Sequence, residues 1–349
     1  MDKIFASAPG RVFVSGDSVM EFGARALVVP AEFEGKRNVV TFSFLESTGK
    51  FTAYEGNKIG TLLATGRTRG DEALKLSLEA AKAALLANGY SPDKLDSSFS
   101  MSLERSVPVT AGSDAAVCAA VFAGVFDYLG NKPNSRAAFK KEYSTPESEV
   151  GETDAILMSS GAPMTLRKEF LLDGTIRVKT AEVPVNQPQG TVFLYADPKV
   201  PENKSAFDIA CGVAIANKVV TSSGRVKPAK DMTANERAGI ADAFTEITDK
   251  LCRELSLPTP SPEKVASQLE LEHVALCDAG VLSDDARAAA AAAKQAGALA
   301  AKASGPQGAL LSLVYENDAG RVSAALSEKG YAAYKMVVSK KGMASEHEE

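Results

Sequence analysis

Histidine is almost absent from this chain of 349 residues, which contains only His273 and His347. That inventory leaves little room for a His-based catalytic triad or for a metal site with several histidine ligands. Cysteine is also scarce, and the four residues are far apart with no C-x-x-C spacing: Cys118, Cys211, Cys252 and Cys277. We therefore expect free thiols in a reducing compartment, and neither a disulfide framework nor a zinc site.

The chain also lacks an excess of positive charge and any long apolar run. Its formal net charge is −5, and 24% of its residues are charged. A protein that neutralises a nucleic-acid backbone usually presents a basic face, so no nucleic-acid partner is expected. No stretch approaches twenty apolar residues, and the first residues lack a charged lead with an apolar core. We expect a cytoplasmic protein with no membrane partner.

What the chain does contain is enough apolar sequence for one large core or two smaller ones, with 45% hydrophobic residues. Strand-like runs fill the first part and helical patterns the second, which predicts an α+β protein in two lobes. We expect lobes over residues 1–187 and 188–341, then a flexible tail over 342–349. The predicted helices span residues 71–87, 113–129, 204–219, 234–254, 262–279, 283–302 and 320–328. The predicted strands span residues 4–8, 12–15, 26–30, 38–45, 51–54, 99–103, 191–196, 309–315 and 332–338.

Two glycine-containing segments carry the first chemical signals. Residues 8–30 read APGRVFVSGDSVMEFGARALVVP, in which two apolar runs flank a polar loop. Composition alone favours an ordinary hairpin with solvated charges there. Residues 108–116 read PVTAGSDAA and form a turn that leads into the predicted helix 113–129. Unpaired N–H groups at such a helix start can bind an anion, although Ser113 or Asp114 could instead cap the helix.

The order and the amino-acid sequences of these segments resemble those of the GHMP superfamily of small-molecule kinases, and of archaeal-type mevalonate kinases in particular. The first segment is similar to the family motif A-P-G-(K/R)-V-x-x-x-G-E-H, with Asp17 and Ser18 in place of Glu and His. The resemblance implies that Arg11 lies beside the acceptor hydroxyl and that Asp17 and Ser18 contribute to acceptor binding.

The second segment is similar to the family's phosphate loop, P-x-x-x-G-L-G-S-S-A-A, with two residues fewer and Asp114 at the second serine. The resemblance implies that ATP phosphates bind at Ala111, Gly112, Ser113, Asp114 and Ala115. Ser113 would then provide the hydroxyl on the Mg²⁺ side. A carboxylate facing phosphates repels them unless a cation lies between, so Asp114 is either an added Mg²⁺ ligand or a sign of weakened ATP binding.

A third segment, GETDAILMSSG at residues 151–161, resembles the family run S-P-T-D-x-x-V-S-T-x-G-G. The resemblance implies that Asp154 is the catalytic aspartate, paired with Arg11, and that Thr153 contributes to acceptor binding. The family also has a Mg²⁺-binding glutamate about eleven residues earlier. Glu142 stands one residue out of that register and is the candidate, with an exposed helix glutamate as the alternative.

Near the end of the chain, residues 296–305 read AGALAAKASG and resemble the family run A-G-A-x-G-A-K-x-(S/T)-G. The resemblance adds Ser304 and Gly305 to the phosphate-binding residues. The family's glycine-rich closing loop is replaced here by the shorter and stiffer sequence PQGA at residues 306–309.

The resemblance implies an N-terminal lobe with a left-handed βαβ unit and a ferredoxin-like C-terminal lobe. It implies ATP and Mg²⁺ as cofactors and phosphorylation of a primary hydroxyl of mevalonate or a mevalonate phosphate. A homodimer is one option for the assembly. Two alternatives stay open: a kinase for another acceptor such as a sugar, since Arg11 is the residue that galactokinases prefer, and an inactive pseudokinase that serves as a binding protein.

Overall fold

The computed structural model describes residues 3–46, 50–63, 65–91, 97–144, 150–171, 173, 175–219 and 225–348. It has the α+β class that the sequence predicts. The strands are, in chain order, β1 (Lys3–Ala8), β2 (Gly10–Ser15), β3 (Ala26–Phe33), β4 (Asn38–Glu46), β5 (Lys50–Glu55), β6 (Lys58–Leu63), β7 (Thr68–Gly70), β8 (Ser97–Glu104), β9 (Met164–Phe170), β10 (Ile176–Glu182), β11 (Thr191–Pro198), β12 (Ala298–Ala303), β13 (Leu310–Tyr315), β14 (Tyr331–Val338) and β15 (Ala344–His347).

Most of the helices overlap the predicted helical segments, but the third and fourth helices were not predicted. They are α1 (Lys75–Ala87), α2 (Ser113–Tyr128), α3 (Ser135–Tyr143), α4 (Glu152–Ser160), α5 (Ala206–Ala216), α6 (Ala234–Leu255), α7 (Pro262–Asp278), α8 (Asp284–Gln295) and α9 (Ala319–Glu328). In the described part of the chain, none of these helices is both long and apolar enough to cross a membrane.

The chain forms two compact units. Unit 1 comprises Met1–Arg11, Pro30–Ala162 and Ser339–Glu349, and unit 2 comprises Val12–Val29 and Pro163–Val338. These units differ from the expected division at residues 187 and 188. The reason is strand pairing, because β9 pairs with β3 through Ala26 and Leu166 and therefore belongs with unit 2. Pairing between segments so far apart in the chain cannot be predicted from local composition.

Unit 1 contains a sheet with the strand order β15-β1-β4-β8-β5-β6-β7. All neighbours are antiparallel except β5 and β8, which run parallel. The expectation of a flexible tail over 342–349 is wrong for Ala344–His347, because β15 pairs with β1 in the register Ile4 to His347. This strand is short and polar, so it has none of the apolar alternation that marks a strand in sequence.

Helix α2 lies at the centre of unit 1. Almost every residue from Ser113 to Phe126 is buried, as its uniformly apolar sequence predicts. It packs on β1 and β4 on one side and on α1 and α3 on others. Aromatic rings fill the space beside α3, where the ring centroids of Phe122 and Phe139 lie 5.3 Å apart in an edge-to-face arrangement.

Unit 2 contains a sheet with the order β10-β9-β3-β14-β11-β13-β12, and β2 pairs with β3 beside it. The alanine-rich helix α8 packs Ala289 and Ala293 against Leu310 and Val314 of β13. The predicted helix 283–302 is wrong beyond Gln295, since residues 298–303 form β12. The chain turns at Gly297, whose φ of 106° is outside the helical region. The residues that follow form β12, which pairs with β13.

A buried ion pair joins three elements of unit 2. The Nζ atom of Lys302 in β12 lies 3.0 Å from Oε1 of Glu272 in α7, and both side chains are essentially inaccessible to solvent. Lys302 also donates to the carbonyl of Val14 in β2, at 3.1 Å. The same carboxylate oxygen of Glu272 accepts a hydrogen bond from the Gly16 N–H at 2.9 Å. Each charge therefore holds the other and the end of β2 in place.

We predict that Glu272→Ala lowers the free energy of unfolding by about 3–5 kcal/mol, because it leaves the Lys302 ammonium buried without a counter-charge. Urea unfolding followed by circular dichroism measures this loss. Glu270→Ala on the same helix is the matched control, since Glu270 pairs with the partly exposed Lys294. That variant should lose less than about 1 kcal/mol. Equal losses in the two variants would contradict a structural role for the buried pair.

Candidate active site

The predicted phosphate loop is a tight turn that ends at the start of α2. A 3₁₀ turn spans Val109–Ala111, and Gly112 follows with φ 77° and ψ 39°. This left-handed conformation favours glycine, so the backbone geometry explains why position 112 is a glycine. Helix α2 then begins at Ser113, and Gly112 is its N-cap residue.

The N-terminus of α2 carries no side-chain cap from the described residues. The sequence-level alternative, in which Ser113 or Asp114 caps the helix, is therefore wrong. The first N–H groups of a helix have no partner within the helix, and the helix dipole adds partial positive charge at this end. The turn and the helix start together form the kind of backbone cradle that binds phosphates.

Asn38, the first residue of β4, holds this loop from the inside. Its Nδ2 donates to the Ser113 carbonyl at 2.8 Å and to the Ser113 hydroxyl oxygen at 3.1 Å. Its Oδ1 accepts from the N–H groups of Ser106 and Val107, at 2.7 and 2.9 Å. One fully buried amide therefore connects the chain before the phosphate loop to the first residue of α2.

Asp154 lies in the first turn of α4, and its side chain is 9% exposed. Its Oδ1 is 3.3 Å from Nε of Arg11 in β2, whose side chain is 23% exposed. The two atoms form an ion pair, and their orientation does not make a hydrogen bond, so Oδ1 accepts none from the described residues. Burial raises the pKa of the Asp154 carboxyl above its ordinary value, while the Arg11 guanidinium acts in the opposite direction.

The Asp154 carboxylate lies beside the last residue of the phosphate loop. A methyl group built on Gly112 would lie 3.7 Å from both carboxylate oxygens of Asp154. Arg11, Gly112 and Asp154 therefore lie close together in unit 1. A buried carboxylate with a cationic partner and spare acceptor capacity, next to an anion cradle, can accept a proton from a hydroxyl that reacts with a bound phosphate.

Asp114 points to the exposed side of α2, where its side chain is 64% exposed and pairs with Nη1 of Arg105. The Nε atom of Arg105 lies 3.0 Å from Oε1 of Glu55. The carboxylate of Asp114 therefore has a cation partner within unit 1, which reduces its repulsion of a phosphate. Arg105 follows β8 directly and was not among the predicted site residues, because nothing in the local sequence connects it with the helix start.

The remaining predicted residues of unit 1 occupy separate environments. Thr153 is half-buried in the first turn of α4, and Ala111 and Ala115 are buried at the start of α2. Glu142 is exposed near the end of α3, where it lines a groove together with Lys82 and other residues of α1. Within the described residues, no group of three His, Cys, Asp or Glu side chains could hold a metal ion.

The predicted residues of unit 2 lie in two segments. Asp17 and Ser18 open a 3₁₀ turn over Asp17–Phe22, where the sequence suggested an irregular loop. Ser304 is buried after β12, and its hydroxyl donates to the Phe13 carbonyl at 2.9 Å. The Ser304 N–H donates to the Ala309 carbonyl at 2.8 Å. Ser304 therefore closes the short loop that ends at Ala309, and Gly305 follows it with φ 83°.

Comparison with solved structures identifies the fold. The mevalonate kinase of Methanococcus jannaschii aligns with 96% of this chain and 98% of its own, with a TM-score of 0.67 and 13% identity. This chain has the GHMP kinase fold. The galactokinase of Lactococcus lactis, solved with galactose, aligns with 99% of this chain and 95% of its own, with a TM-score of 0.63 and 16% identity.

A homoserine kinase from Cytophaga hutchinsonii also has the GHMP kinase fold and is similar over nearly the full length. The alignment covers 99% of this chain and 98% of that one, with a TM-score of 0.61 and 16% identity. No protein-family model matches the sequence, and no curated protein sequence matches it. The three structural neighbours are named for three different acceptors. Their similarity to this chain therefore shows its fold and does not identify an acceptor.

We predict that Asn38→Ala lowers the free energy of unfolding by about 2–4 kcal/mol, because buried N–H groups of the loop lose their acceptor. Chemical denaturation measures the change. Asn134→Ala is the control, since the Asn134 amide makes an exposed hydrogen bond to Asn131. That substitution should change stability by no more than about 0.5 kcal/mol. A loss in Asn38→Ala as small as in the control would show that the loop does not depend on this amide.

Proposed function

We propose that this chain is an ATP-dependent kinase that phosphorylates a hydroxyl group of a small molecule. One observation carries the proposal. The buried Asp154 carboxylate pairs with Arg11 and lies beside Gly112, at the open N-terminus of α2. The GHMP kinase fold supports the same reaction class, because the solved neighbours are kinases of mevalonate, homoserine and galactose.

In the proposed reaction, the Gly112 turn and the first N–H groups of α2 bind the terminal phosphates of ATP. The acceptor oxygen attacks the γ-phosphorus, and a new P–O bond forms while the bond to the β-phosphate oxygen breaks. Asp154 takes the hydroxyl proton, and ADP leaves with the charge of the broken bond. Arg11 favours the ionised form of the buried carboxylate, because its positive charge opposes the effect of desolvation.

The residues at the start of α2 fit a Mg²⁺ ion that arrives with the nucleotide. Mg²⁺ is usually held by one or two protein oxygens together with phosphate oxygens and waters, so no all-protein cage is required. The Ser113 hydroxyl oxygen accepts one hydrogen bond from Asn38 and retains a second lone pair for such an ion. When bound there, Mg²⁺ would neutralise charge on the β- and γ-phosphates. We keep Glu142 as a second candidate ligand.

We favour mevalonate or a mevalonate phosphate as the acceptor, phosphorylated on its primary hydroxyl. The similarity of the four segments to archaeal-type mevalonate kinases supports this, and so does the TM-score of 0.67 to the Methanococcus jannaschii enzyme. Asp17, Ser18 and Thr153 are the proposed acceptor contacts, and Ser304 and Gly305 are proposed to contact phosphate. A sugar acceptor is the second candidate, and Arg11, at the position where galactokinases prefer arginine, is the observation that favours it.

A pseudokinase is the third candidate and belongs to a different functional class. The short loop of residues 306–309 favours it, because Pro306 restricts the backbone where the family has consecutive glycines. The retained pair of Asp154 and Arg11 opposes it. A protein that had lost turnover would have no need to keep a carboxylate buried against the cost of desolvation.

The test is ADP release from Mg·ATP by the purified protein, with mevalonate, the two mevalonate monophosphates, galactose and homoserine offered separately. We expect turnover with a mevalonate species. Turnover with galactose or homoserine alone would overturn the favoured acceptor and keep the kinase class. Nucleotide binding without turnover would direct the search to other acceptors. Absence of both turnover and nucleotide binding would support the pseudokinase.

Asp154→Asn provides the decisive control within that experiment. Removal of a general base typically costs about 10²–10⁴-fold in rate, so turnover should fall by at least that factor while Mg·ATP binding remains. Glu152→Gln is the matched substitution, because Glu152 lies in the same first turn of α4 and is exposed. It should leave turnover unchanged. Unchanged turnover in Asp154→Asn would remove Asp154 from the mechanism.

The same pair predicts a pH dependence. A base must be ionised to act, so kcat/KM should decrease as the pH falls through the raised pKa of Asp154. Arg11→Gln removes the cation that lowers this pKa, so the acid limb of the profile should move to higher pH. Arg11→Lys keeps the charge and should leave the limb near its wild-type position. A limb that moves to lower pH in Arg11→Gln would contradict the proposed electrostatics.

A further inference from the structure

Unit 2 contains a cavity of about 400 Å³ that none of the proposed catalytic residues lines. Its walls come from the end of the 3₁₀ turn at Phe22 and Gly23, from β9, and from the first turns of α6. Cavities that bind small molecules in proteins typically have volumes of about 300–1,000 Å³. The size therefore suits a small metabolite, and the charges of the lining residues indicate what kind.

Two of the charged residues of the cavity are already paired. Nζ of Lys168 lies 2.7 Å from Oε1 of Glu21, and Oε1 of Glu169 lies 3.2 Å from Nζ of Lys179. Such pairs satisfy each other's charge and contribute little net field in the cavity. They leave two arginines and one aspartate as the charged groups that decide which ligand the cavity prefers.

Arg167 and Arg237 have no carboxylate within ion-pair distance in the part of the chain that the structure describes. Both guanidinium groups are nevertheless held in position. Nε of Arg167 donates to the Gly23 carbonyl at 2.8 Å. Arg237 lies over the Phe170 ring, with 4.4 Å between the guanidinium carbon and the ring centroid, and its Nη1 donates to the Ala229 carbonyl at 3.0 Å. Orientation of this kind prepares a guanidinium for a planar or tetrahedral oxyanion.

We propose that this cavity binds a small molecule through a carboxylate or phosphate group held by Arg167 and Arg237. Asp242 also lines the cavity, and its carboxylate can accept a hydrogen bond. A bare anion leaves that carboxylate unused, whereas a hydroxyl or ammonium group on the same ligand satisfies it. The ligand class is therefore a hydroxylated or aminated small acid or phosphate.

The anion can come from the acceptor of the proposed kinase or from a separate effector. The cavity is bounded by the end of the 3₁₀ turn Asp17–Phe22, whose first residues are the proposed acceptor contacts. The binding proposal itself does not require kinase activity, because it rests on the arginines of unit 2. Its test can therefore be separated from the test of the proposed function.

The experiment titrates inorganic phosphate, and separately malonate, into the full chain at constant ionic strength. The readouts are the dissociation constant and the NMR signals of the Nε–H groups of Arg167 and Arg237. We expect saturable binding that is about tenfold weaker in Arg167→Gln, the size of one lost charge-assisted hydrogen bond. Ala238→Glu keeps both arginines and adds a carboxylate to the cavity, so it should weaken binding at least as much.

Arg177→Gln is the matched control, because Arg177 is an exposed cation on the neighbouring strand β10 and does not line the cavity. Its binding should equal that of the wild type. Equal dissociation constants in all four proteins, or no saturable binding by the wild type, would overturn the proposal. If the wild-type protein binds the anion but does not bind nucleotide, the proposed kinase function is contradicted and the anion site is retained.

Activity measurements then distinguish the two sources of the anion. If the anion belongs to the acceptor, Arg167→Gln should raise KM for an acidic acceptor, with kcat and the KM for galactose unchanged. If it belongs to an effector, the variant should lose the effect of added phosphate on turnover with KM unchanged. Either pattern supports the site and assigns its ligand.

Discussion

Helix α2 has almost no exposed face, and this constraint determines what the phosphate loop can be. Because the helix is buried between β1, β4, α1 and α3, its position in unit 1 is set by packing on several sides. Its first residue is then fixed by Asn38 and its N-cap conformation by Gly112. The backbone N–H groups at this end are presented by a rigid element, and a preorganised donor set binds an anion without the entropic cost of ordering a loop.

The carboxylate beside this helix start is subject to two opposing effects. Burial disfavours its charged form, while the Arg11 guanidinium favours that form, and the net result is a raised pKa for Asp154. A carboxylate whose pKa is raised is a stronger base than one in water. Arg11 and Asp154 therefore have to be considered as one unit, because removal of either residue leaves the other charge without its partner.

The sequence was sufficient for the elements whose signal is local. Helix α2 was predicted within one residue, because its apolar run and the preceding glycine turn are continuous in the chain. Arg11, Gly112 and Asp154 were predicted to act together only through resemblance, and they lie close together despite long sequence separations. Local reading failed for β12, where alanine's helix propensity was overridden by pairing with β13, and for β15, whose pairing partner is at the other end of the chain. Asn38 and Arg105 gave no signal, because their importance lies in what they contact.

Two groups of charged residues in unit 2 differ in their partners. Lys302 and Glu272 are fully buried and satisfy each other while they hold the end of β2. Arg167 and Arg237 are held in position by carbonyl groups and an aromatic ring, and these partners leave the positive charge uncompensated. Lys168 of the same cavity, by contrast, has a carboxylate partner in Glu21. In the described part of the chain these two cations have no carboxylate counter-charge, and they can therefore receive a ligand that brings its own negative charge.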